Sequence, residues 1–317
     1  LSSMREIPII VDAYHNPALL NFSKAFEYLN KSLNGRVKVY YLNESLSHVS
    51  LSGVSMYLIP PSNKTFSDEE KEIIKSFVRE GGILVVLGMD YVRGRDFNAD
   101  IVIMDDVLSA IPLEAEIHFN YTGGLGNTII DPFSNDSYLH INETFYTKPL
   151  RKFLGDKTFN LIIESGVLTI SSANLTQERI IMLPPWAYVL TGDGSILYFE
   201  KGAGIFAMEE YGDGLVIVIG FALSLSDLKE PQYNVSWIDL GENKDFWIAL
   251  IKNSLNIHSK KQYLIESTYV WLIPTIIGVI LIIVSVLMSI HAIRRPKEEK
   301  KKEIKISEIL KKLRRSG

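Results

Sequence analysis

Apolar runs alternate with helical spacings over the first ninety residues. Short apolar runs predict four strands: Ile7–Asp12, Val37–Leu42, 54–59 and Ile83–Leu87. The last run is apolar throughout, as in a parallel strand that is buried on both faces. Apolar residues at helical spacing predict one helix over 19–33, and the capping box Ser67-Asp-Glu-Glu70 opens a second. This order of elements predicts an α/β fold with a doubly wound sheet.

The middle of the chain, after the first ninety residues, has a less regular pattern. Residues 101–105 are apolar enough for another strand, and 107–150 are rich in glycine and polar residues, which predicts exposed loops. Residues 107–195 are either a separate lobe or an insertion in the same domain. Short runs after Leu161 predict additional antiparallel strands. Three of them form a predicted meander, with Gly212-Asp213-Gly214 as its last turn: 196–200, 204–211 and 214–221.

A helix is predicted to close the domain, which spans 1–256. Asn243 is its expected cap, and apolar residues continue at helical spacing to about Asn256. Residues 257–268 are then a short stalk.

Residues 269–293 contain no charged side chain. At about 1.5 Å per residue they give roughly 37 Å of helix, enough to cross a hydrocarbon core of ~30 Å. Arg294 and Arg295 follow at once, and Tyr269 and Trp271 lie at the other end. The positive-inside rule therefore predicts one C-terminal transmembrane helix, with the N-terminus outside the cell and residues 294–317 in the cytoplasm.

Asn-x-Ser/Thr sequons support an extracellular placement of the first domain. Nine of the seventeen asparagines lie in sequons, against about two expected by chance: Asn21, Asn30, Asn43, Asn63, Asn120, Asn135, Asn142, Asn174 and Asn234. This excess predicts a surface that carries N-linked glycans. A secretory signal peptide removed during maturation is part of the same expectation, because the sequence begins at Leu1.

Composition excludes several classes of protein. The chain has no cysteine, which excludes disulfides, thiolate metal sites and cysteine nucleophiles. The whole chain has a net charge of −4, but the cytoplasmic segment 294–317 has eleven basic and four acidic residues. The rest of the chain is therefore strongly acidic. An acidic surface repels phosphates, so nucleic acid is not an expected partner. Few glutamines and no cysteine favour a thermophilic source with an archaeal-type cell surface.

The cytoplasmic tail ends in a basic amphipathic pattern. Apolar residues recur at helical spacing among lysines and arginines: Ile306, Ile309, Leu310 and Leu313. Three interpretations stay open: a helix on the anionic inner leaflet, a docking segment for a cytosolic ATPase, or a solvated end to a membrane anchor.

Four segments and their order resemble a known family. The segments are PIIVDAYHN, LIPPSNKTFSDEEKEIIKSFVREGGILVVLG and MEEYGDGLVIVIGFA, followed by ENKDFWIALIKNSL. They resemble the class I glutamine-amidotransferase-like proteins that serve as membrane-anchored auxiliary components of ABC transport systems, including the GldG-type gliding-motility component. The resemblance covers most of residues 5–256. It implies a flavodoxin-like sheet and an accessory or ligand-binding role.

The resemblance also indicates that amidotransferase chemistry is lost. Catalytic relatives carry a cysteine on the turn after the fourth strand, where this chain has Met89 and Asp90, and an activating His-Pro-Glu late in the domain, where 223–227 contain no histidine. We therefore expect no catalytic residues, no cofactor and no glutaminase activity.

A crevice beyond the carboxyl ends of the strands is the expected ligand site. The polar residues that the strands deliver there are Asp12, His15, Ser62, Asn63, Asp90 and Arg93. They predict a pocket for a small polar ligand, or for a divalent cation held by one histidine and two carboxylates. The alternative is that Asp12 caps its own loop and His15 bonds the backbone. No metal site is predicted elsewhere.

The sequence thus favours a non-enzymatic, glycosylated, single-pass surface protein. It would act as the accessory or partner-binding subunit of a membrane complex, with the permease and ATPase of an ABC transporter as partners. Two alternatives remain: a cell-surface hydrolase that uses Asp12, His15 and Asp90, and a structural spacer associated with a surface layer.

Overall fold

The protein is described here from a computed structural model. The structure describes residues 6–16, 21–89, 95–97, 99–119, 128–134, 138–172, 174–190, 194–199, 203–256, 279–288 and 305. The chain divides into two compact units, Leu1–Lys260 and Lys261–Gly317.

The strands of the first unit are numbered in chain order. They are β1 (Ile7–Asp12), β2 (Val37–Leu42), β3 (Met56–Ile59), β4 (Ile83–Leu87), β5 (Glu116–Phe119), β6 (Thr128–Ile130), β7 (Leu139–Ile141), β8 (Leu161–Ile163), β9 (Leu168–Ser171), β10 (Arg179–Met182), β11 (Tyr188–Leu190), β12 (Ile196–Tyr198), β13 (Ala203–Tyr211) and β14 (Gly214–Ile219). The helices are α1 (Ser23–Ser32), α2 (Asp68–Arg79), α3 (Ile101–Ser109), α4 (Lys148–Phe153) and α5 (243–256).

A large mixed sheet organises this unit, in the order β2-β1-β3-β4-β14-β13-β9-β5, with β10 also paired to β13. Its first half is parallel, from β2 through β14. From β13 onward the pairings are antiparallel. Two small antiparallel sheets accompany it, β12-β11-β6 and β7-β8. The molecule is therefore a mixed α/β protein, as the sequence predicts.

Alternate residues of the parallel strands face two separate apolar layers. On β4, Val85 and Leu87 join one layer, whereas Leu84 and Val86 join the other. Helices α1 and α5 cover the first layer, and α2 and α3 cover the second. Both faces of the central parallel strands β3 and β4 are thus buried, which explains why β4 is apolar at every position.

Aromatic rings fill the layer beneath α5. The ring of Phe246 is fully buried and lies 5.6–6.4 Å from the rings of four others: Tyr146, Phe159, Phe206 and Phe221. These come from separate segments of the chain, so one side chain joins α5 to the sheet and to the region around β7 and β8.

Several expectations about the middle region are wrong. Residues 101–105 are not a strand, because they begin α3, whose first turn is capped by the side chain of Asp100. The segment 107–150 is not a set of exposed loops, since its described part contains β5, β7 and α4 and buries Phe119 and Leu150. The buried residues of this segment pack against distant parts of the chain, so the local composition does not indicate their burial.

Two predictions near the C-terminal end of the first unit are also corrected. The hairpin β13–β14 forms with the predicted turn, but β12 pairs with β11 in a small sheet and so does not join the meander. Asn243 is the first residue of α5 but does not cap it, because its Oδ1 accepts no hydrogen bond from the described residues. Its Nδ2 instead donates to the carbonyl oxygens of Ile162 and Trp237 at 2.9 and 3.0 Å.

In the second unit the structure describes a helix at 279–288, here α6, in which every residue is exposed. Its apolar side chains are open on all sides, with Leu281 63% and Met288 68% exposed. Among helices formed by the described residues, none has the length and apolar character needed to cross a bilayer. Most of the predicted 269–293 span, the stalk and nearly all of the tail lie outside those residues.

We expect Phe246→Ala to destabilise the protein by about 3–5 kcal/mol, because it leaves a cavity among four rings. Urea denaturation of the purified protein measures this. Phe133→Ala, at a ring that is 76% exposed, is the matched control and should cost about 1 kcal/mol or less. Equal losses from the two changes would contradict the packing described for α5.

Candidate functional site

Asp12 ends β1 and is fully buried. Its Oδ1 accepts hydrogen bonds from the backbone N–H groups of Tyr14 and His15, both at 3.0 Å. Asp12 therefore caps its own loop, which is the first half of the structural alternative that the sequence left open.

His15 is also fully buried and lies between two carboxylates. Its Nδ1 is 2.7 Å from Oδ2 of Asp12, and its Nε2 is 3.5 Å from Oε2 of Glu70. The first distance is that of a hydrogen bond, and the second is too long for one of good geometry. The imidazole stacks on Phe66, with ring centroids 3.6 Å apart. His15 bonds a side chain rather than the backbone, so the second half of that alternative is wrong.

Tyr57, on β3, completes the contacts of Asp12. Its hydroxyl donates to Oδ2 of Asp12 at 2.6 Å. Burial, together with the negative charge of Asp12, raises the pKa of Tyr57 well above its usual value. The phenol therefore stays protonated and keeps donating to the buried carboxylate.

Glu70 is the second carboxylate and accepts several hydrogen bonds. Its Oε2 accepts from the backbone N–H and the hydroxyl of Ser67 at 2.9 and 3.0 Å, which is the predicted capping box of α2. Its Oε1 accepts from the hydroxyl of Ser45 at 2.6 Å and from the N–H of Leu46 at 3.0 Å. Burial opposes ionisation, but these bonds and the nearby His15 outweigh it and lower the pKa of Glu70 to about 2.

The other predicted site residues divide into two groups. Ser62 is fully buried, and its hydroxyl donates to the carbonyl oxygen of Pro60 at 2.9 Å. Asn63 is close to His15 through the backbone, since its N–H donates to the His15 carbonyl at 3.0 Å. Asp90 and Arg93 lie outside the described residues. The structure thus places Ser62 and Asn63 next to the loop of Asp12 and His15. Asp12, His15 and Ser62 are fully buried, whereas Asn63 is half-buried.

The turn after β4, where catalytic members of the resembled family carry a nucleophile, is closely packed. A Cβ on Gly88 would lie 2.1 Å from Cε1 of Phe119. The N–H of Ala222 donates to the Gly88 carbonyl at 2.8 Å, and Met89 is buried. Described side chains and backbone therefore cover this end of β4.

The divalent-cation interpretation finds no support in these residues. Within the ranges that the structure describes, no group of three or more histidine, aspartate or glutamate side chains is arranged to hold a metal ion.

Sequence reasoning missed Glu70 and Phe66 as neighbours of His15 and Tyr57 as a partner of Asp12. Glu70 was recognised as a capping residue, and its role opposite His15 depends on where α2 lies in the fold. A tyrosine within the apolar strand β3 was the available signal for Tyr57, because a buried phenol requires a hydrogen-bond partner.

Comparison with known proteins finds similarity in fold and none in sequence family. No protein-family model matches the sequence, and no curated protein is significantly similar to it. The solved structure described as the mmIFT52 N-terminal domain has a TM-score of 0.52 at 16% identity, covering 77% of this chain and 96% of that chain. At that identity the similarity shows a shared fold and leaves function open.

Two proteins described as putative ThuA-like proteins also match. The one from Parabacteroides merdae ATCC 43184 has a TM-score of 0.39 at 12% identity, covering 81% of this chain and 91% of its own. The one from Bacteroides uniformis ATCC 8492 has a TM-score of 0.43 at 10% identity, covering 81% and 93%.

We expect Tyr57→Phe to cost about 1.5–3 kcal/mol, because a buried carboxylate loses a donor while the ring still fits. Chemical denaturation of the full-length protein tests this. Tyr40→Phe, at a side chain 54% exposed, should change stability by less than about 0.5 kcal/mol. A neutral result for Tyr57→Phe would mean that the hydrogen bond to Asp12 contributes nothing net.

Glu70 should make stability depend on pH. Its pKa is lowered in the folded state, so its contribution is complete above the unfolded value of 4.5 and is lost as the pH falls toward 2. The contribution is on the order of 3 kcal/mol, at about 1.36 kcal/mol per pKa unit. Urea midpoints measured from pH 2 to 6 should therefore fall less steeply for Glu70→Gln than for the wild type. Glu72→Gln, an exposed change on the same helix, should keep the wild-type slope.

Proposed function

We propose that this chain is a membrane-anchored, non-enzymatic accessory subunit of an ABC transport system. Its first unit would bind a partner outside the cell, and its C-terminal segment would anchor it. The main support for a non-enzymatic role is that the polar side chains near the carboxyl ends of β1 and β3 are buried and bonded to other groups of the protein. Asp12, His15 and Ser62 are fully buried, so a substrate has no direct access to them in this conformation.

The turn after β4 supports the same conclusion. A nucleophile there must be exposed to attack a substrate, whereas Met89 is buried and Gly88 packs against Phe119. The absence of cysteine from the sequence removes the thiol of the catalytic relatives. The order β2-β1-β3-β4 is that of flavodoxin-like sheets, which agrees with the resemblance to the GldG-type components.

The exposed helix α6 supports a membrane anchor. Nine of its ten described residues are large apolar side chains with at least 46% exposure. Exposing so much apolar surface to water is unfavourable, and a lipid environment removes the cost. The sequence around α6 is uncharged from 269 to 293 and is followed by Arg294 and Arg295, as expected for a single span with a cytoplasmic C-terminus.

The basic tail is the part of the proposed subunit that would contact the ATPase. Residues 294–317 have a net charge of +7 and would lie close to the inner leaflet and to any ATPase on the cytoplasmic face. A ligand crevice at the carboxyl end of the sheet is not part of the proposal. We place partner recognition on the outer surface of the first unit instead.

Purification from native membranes in mild detergent, with mass spectrometry of the recovered proteins, tests this function. We expect a permease and its ATPase to co-purify at a fixed ratio to this chain. A variant with glutamine at Lys311, Lys312, Arg314 and Arg315 should retain the permease and lose ATPase if the tail contacts that subunit. Glutamine at Lys31 and Lys38, two exposed lysines of the first unit, is the control and should change neither.

Two other results would replace the proposal. Recovery of the chain alone or with surface-layer proteins would favour the structural spacer. Hydrolytic turnover by the purified chain that is abolished by both Asp12→Ala and His15→Ala, with the fold retained by circular dichroism, would favour the hydrolase.

A further inference from the structure

Three sequons share one local geometry. In each, Oδ1 of the asparagine accepts from the backbone N–H of the residue two positions later, at 3.0 Å for Asn21, 3.0 Å for Asn142 and 3.3 Å for Asn174. The same Oδ1 accepts from the hydroxyl of that later residue, at 2.6, 2.7 and 2.7 Å respectively. All three asparagines and their hydroxyl partners are exposed.

This geometry fixes the orientation of the amide. A backbone N–H is a donor, so the atom that faces it must be the acceptor Oδ1. Nδ2 lies on the other side of the amide carbon and points away from the turn. A sugar attached to Nδ2 leaves Oδ1 with both hydrogen bonds, so the modification keeps the local fold.

Three other sequons use their hydroxyl for the fold. After Asn30, the hydroxyl of Ser32 donates to the carbonyl of Leu29 at 2.8 Å, inside α1. After Asn43, the hydroxyl of Ser45 donates to buried Glu70.

After Asn234, Ser236 is buried and accepts from Nζ of Lys24 at 2.7 Å. A sequon requires that hydroxyl for recognition, and in these three the hydroxyl is hydrogen-bonded to a group other than the asparagine of the sequon.

We propose that Asn21, Asn142 and Asn174 carry N-linked glycans in the mature protein and that Asn30, Asn43 and Asn234 do not. The proposal rests on the extracellular placement in the proposed function. The transfer needs a transferase and a lipid-phosphate-linked oligosaccharide. The Nδ2 electron pair forms the bond to the anomeric carbon, the C–O bond breaks with its electrons leaving on the phosphate, and the Nδ2 proton passes to a base of the transferase.

Glycopeptide mass spectrometry of the full-length chain from the cells that produce it tests the assignment site by site. We expect glycan at the first three asparagines in most molecules and little at the second three. Asn63 belongs to neither group, and Asn120 and Asn135 lie outside the described residues, so the comparison is between the two sets of three.

Asparagine-to-aspartate variants provide matched controls, because aspartate keeps the acceptor oxygen of the turn and lacks Nδ2. Asn142→Asp and Asn174→Asp should each lower the intact mass by one glycan. Asn43→Asp and Asn234→Asp should leave the glycan mass unchanged. Loss of a glycan from the second pair and not from the first would overturn the assignment.

Protease accessibility on intact cells separates this inference from the proposed function. If the first unit is cleaved from outside but its glycans are absent, or lie on Asn30, Asn43 and Asn234, the glycan assignment is wrong and the topology stands. If the first unit is protected inside the cell, the proposed function fails, and the assignment fails with it.

Discussion

A histidine ring between two buried carboxylates holds together the half of the sheet that contains β1 and β3. Asp12 and Glu70 are costly to bury as ions, and each is stabilised by groups from other segments. Tyr57 and His15 satisfy Asp12, while Ser45, Leu46 and Ser67 satisfy Glu70. Because the donors come from β3, from the loop after β2 and from the start of α2, none of these segments can move away without removing a hydrogen bond from a buried carboxylate.

That arrangement changes how the carboxyl edge of the sheet should be interpreted. In open α/β sheets this edge usually binds ligands, and a sequence with Asp12 and His15 after the first strand suggests the same here. The structure uses both side chains for internal bonds and closes the neighbouring turn at Gly88 with Phe119. The same residue types can therefore signal a ligand site or a polar core, and the difference lies in what the rest of the chain packs over them.

The sequence predicts the parts of the fold that depend on neighbouring residues. The strands β1 to β4 follow from apolar runs, α2 from its capping box, and the β13–β14 turn from Gly212 and Gly214. Sequence-based prediction fails where the type or pairing of an element depends on residues that are distant in the sequence. Residues 101–105 are apolar in either a strand or a helix, and the helical spacing to Met104, Val107 and Leu108 becomes decisive once they pack on the sheet. Likewise, β12 is a strand as expected, but its partner is β11 and not β13. The strand's own sequence does not indicate which neighbour it pairs with. At the site, Asp12 and His15 were identified, and Glu70 was not, because no local pattern places α2 opposite β1.

The parallel pairing of β4 with β14 has a consequence for synthesis of the protein. Ile83 pairs with Leu215, 132 residues later in the chain. Until that later segment leaves the ribosome, one edge of β4 has no strand beside it, and an apolar unpaired edge favours association with other chains. Non-local pairings of this kind also slow folding. During synthesis the β4 edge is therefore open to other chains until β14 has emerged.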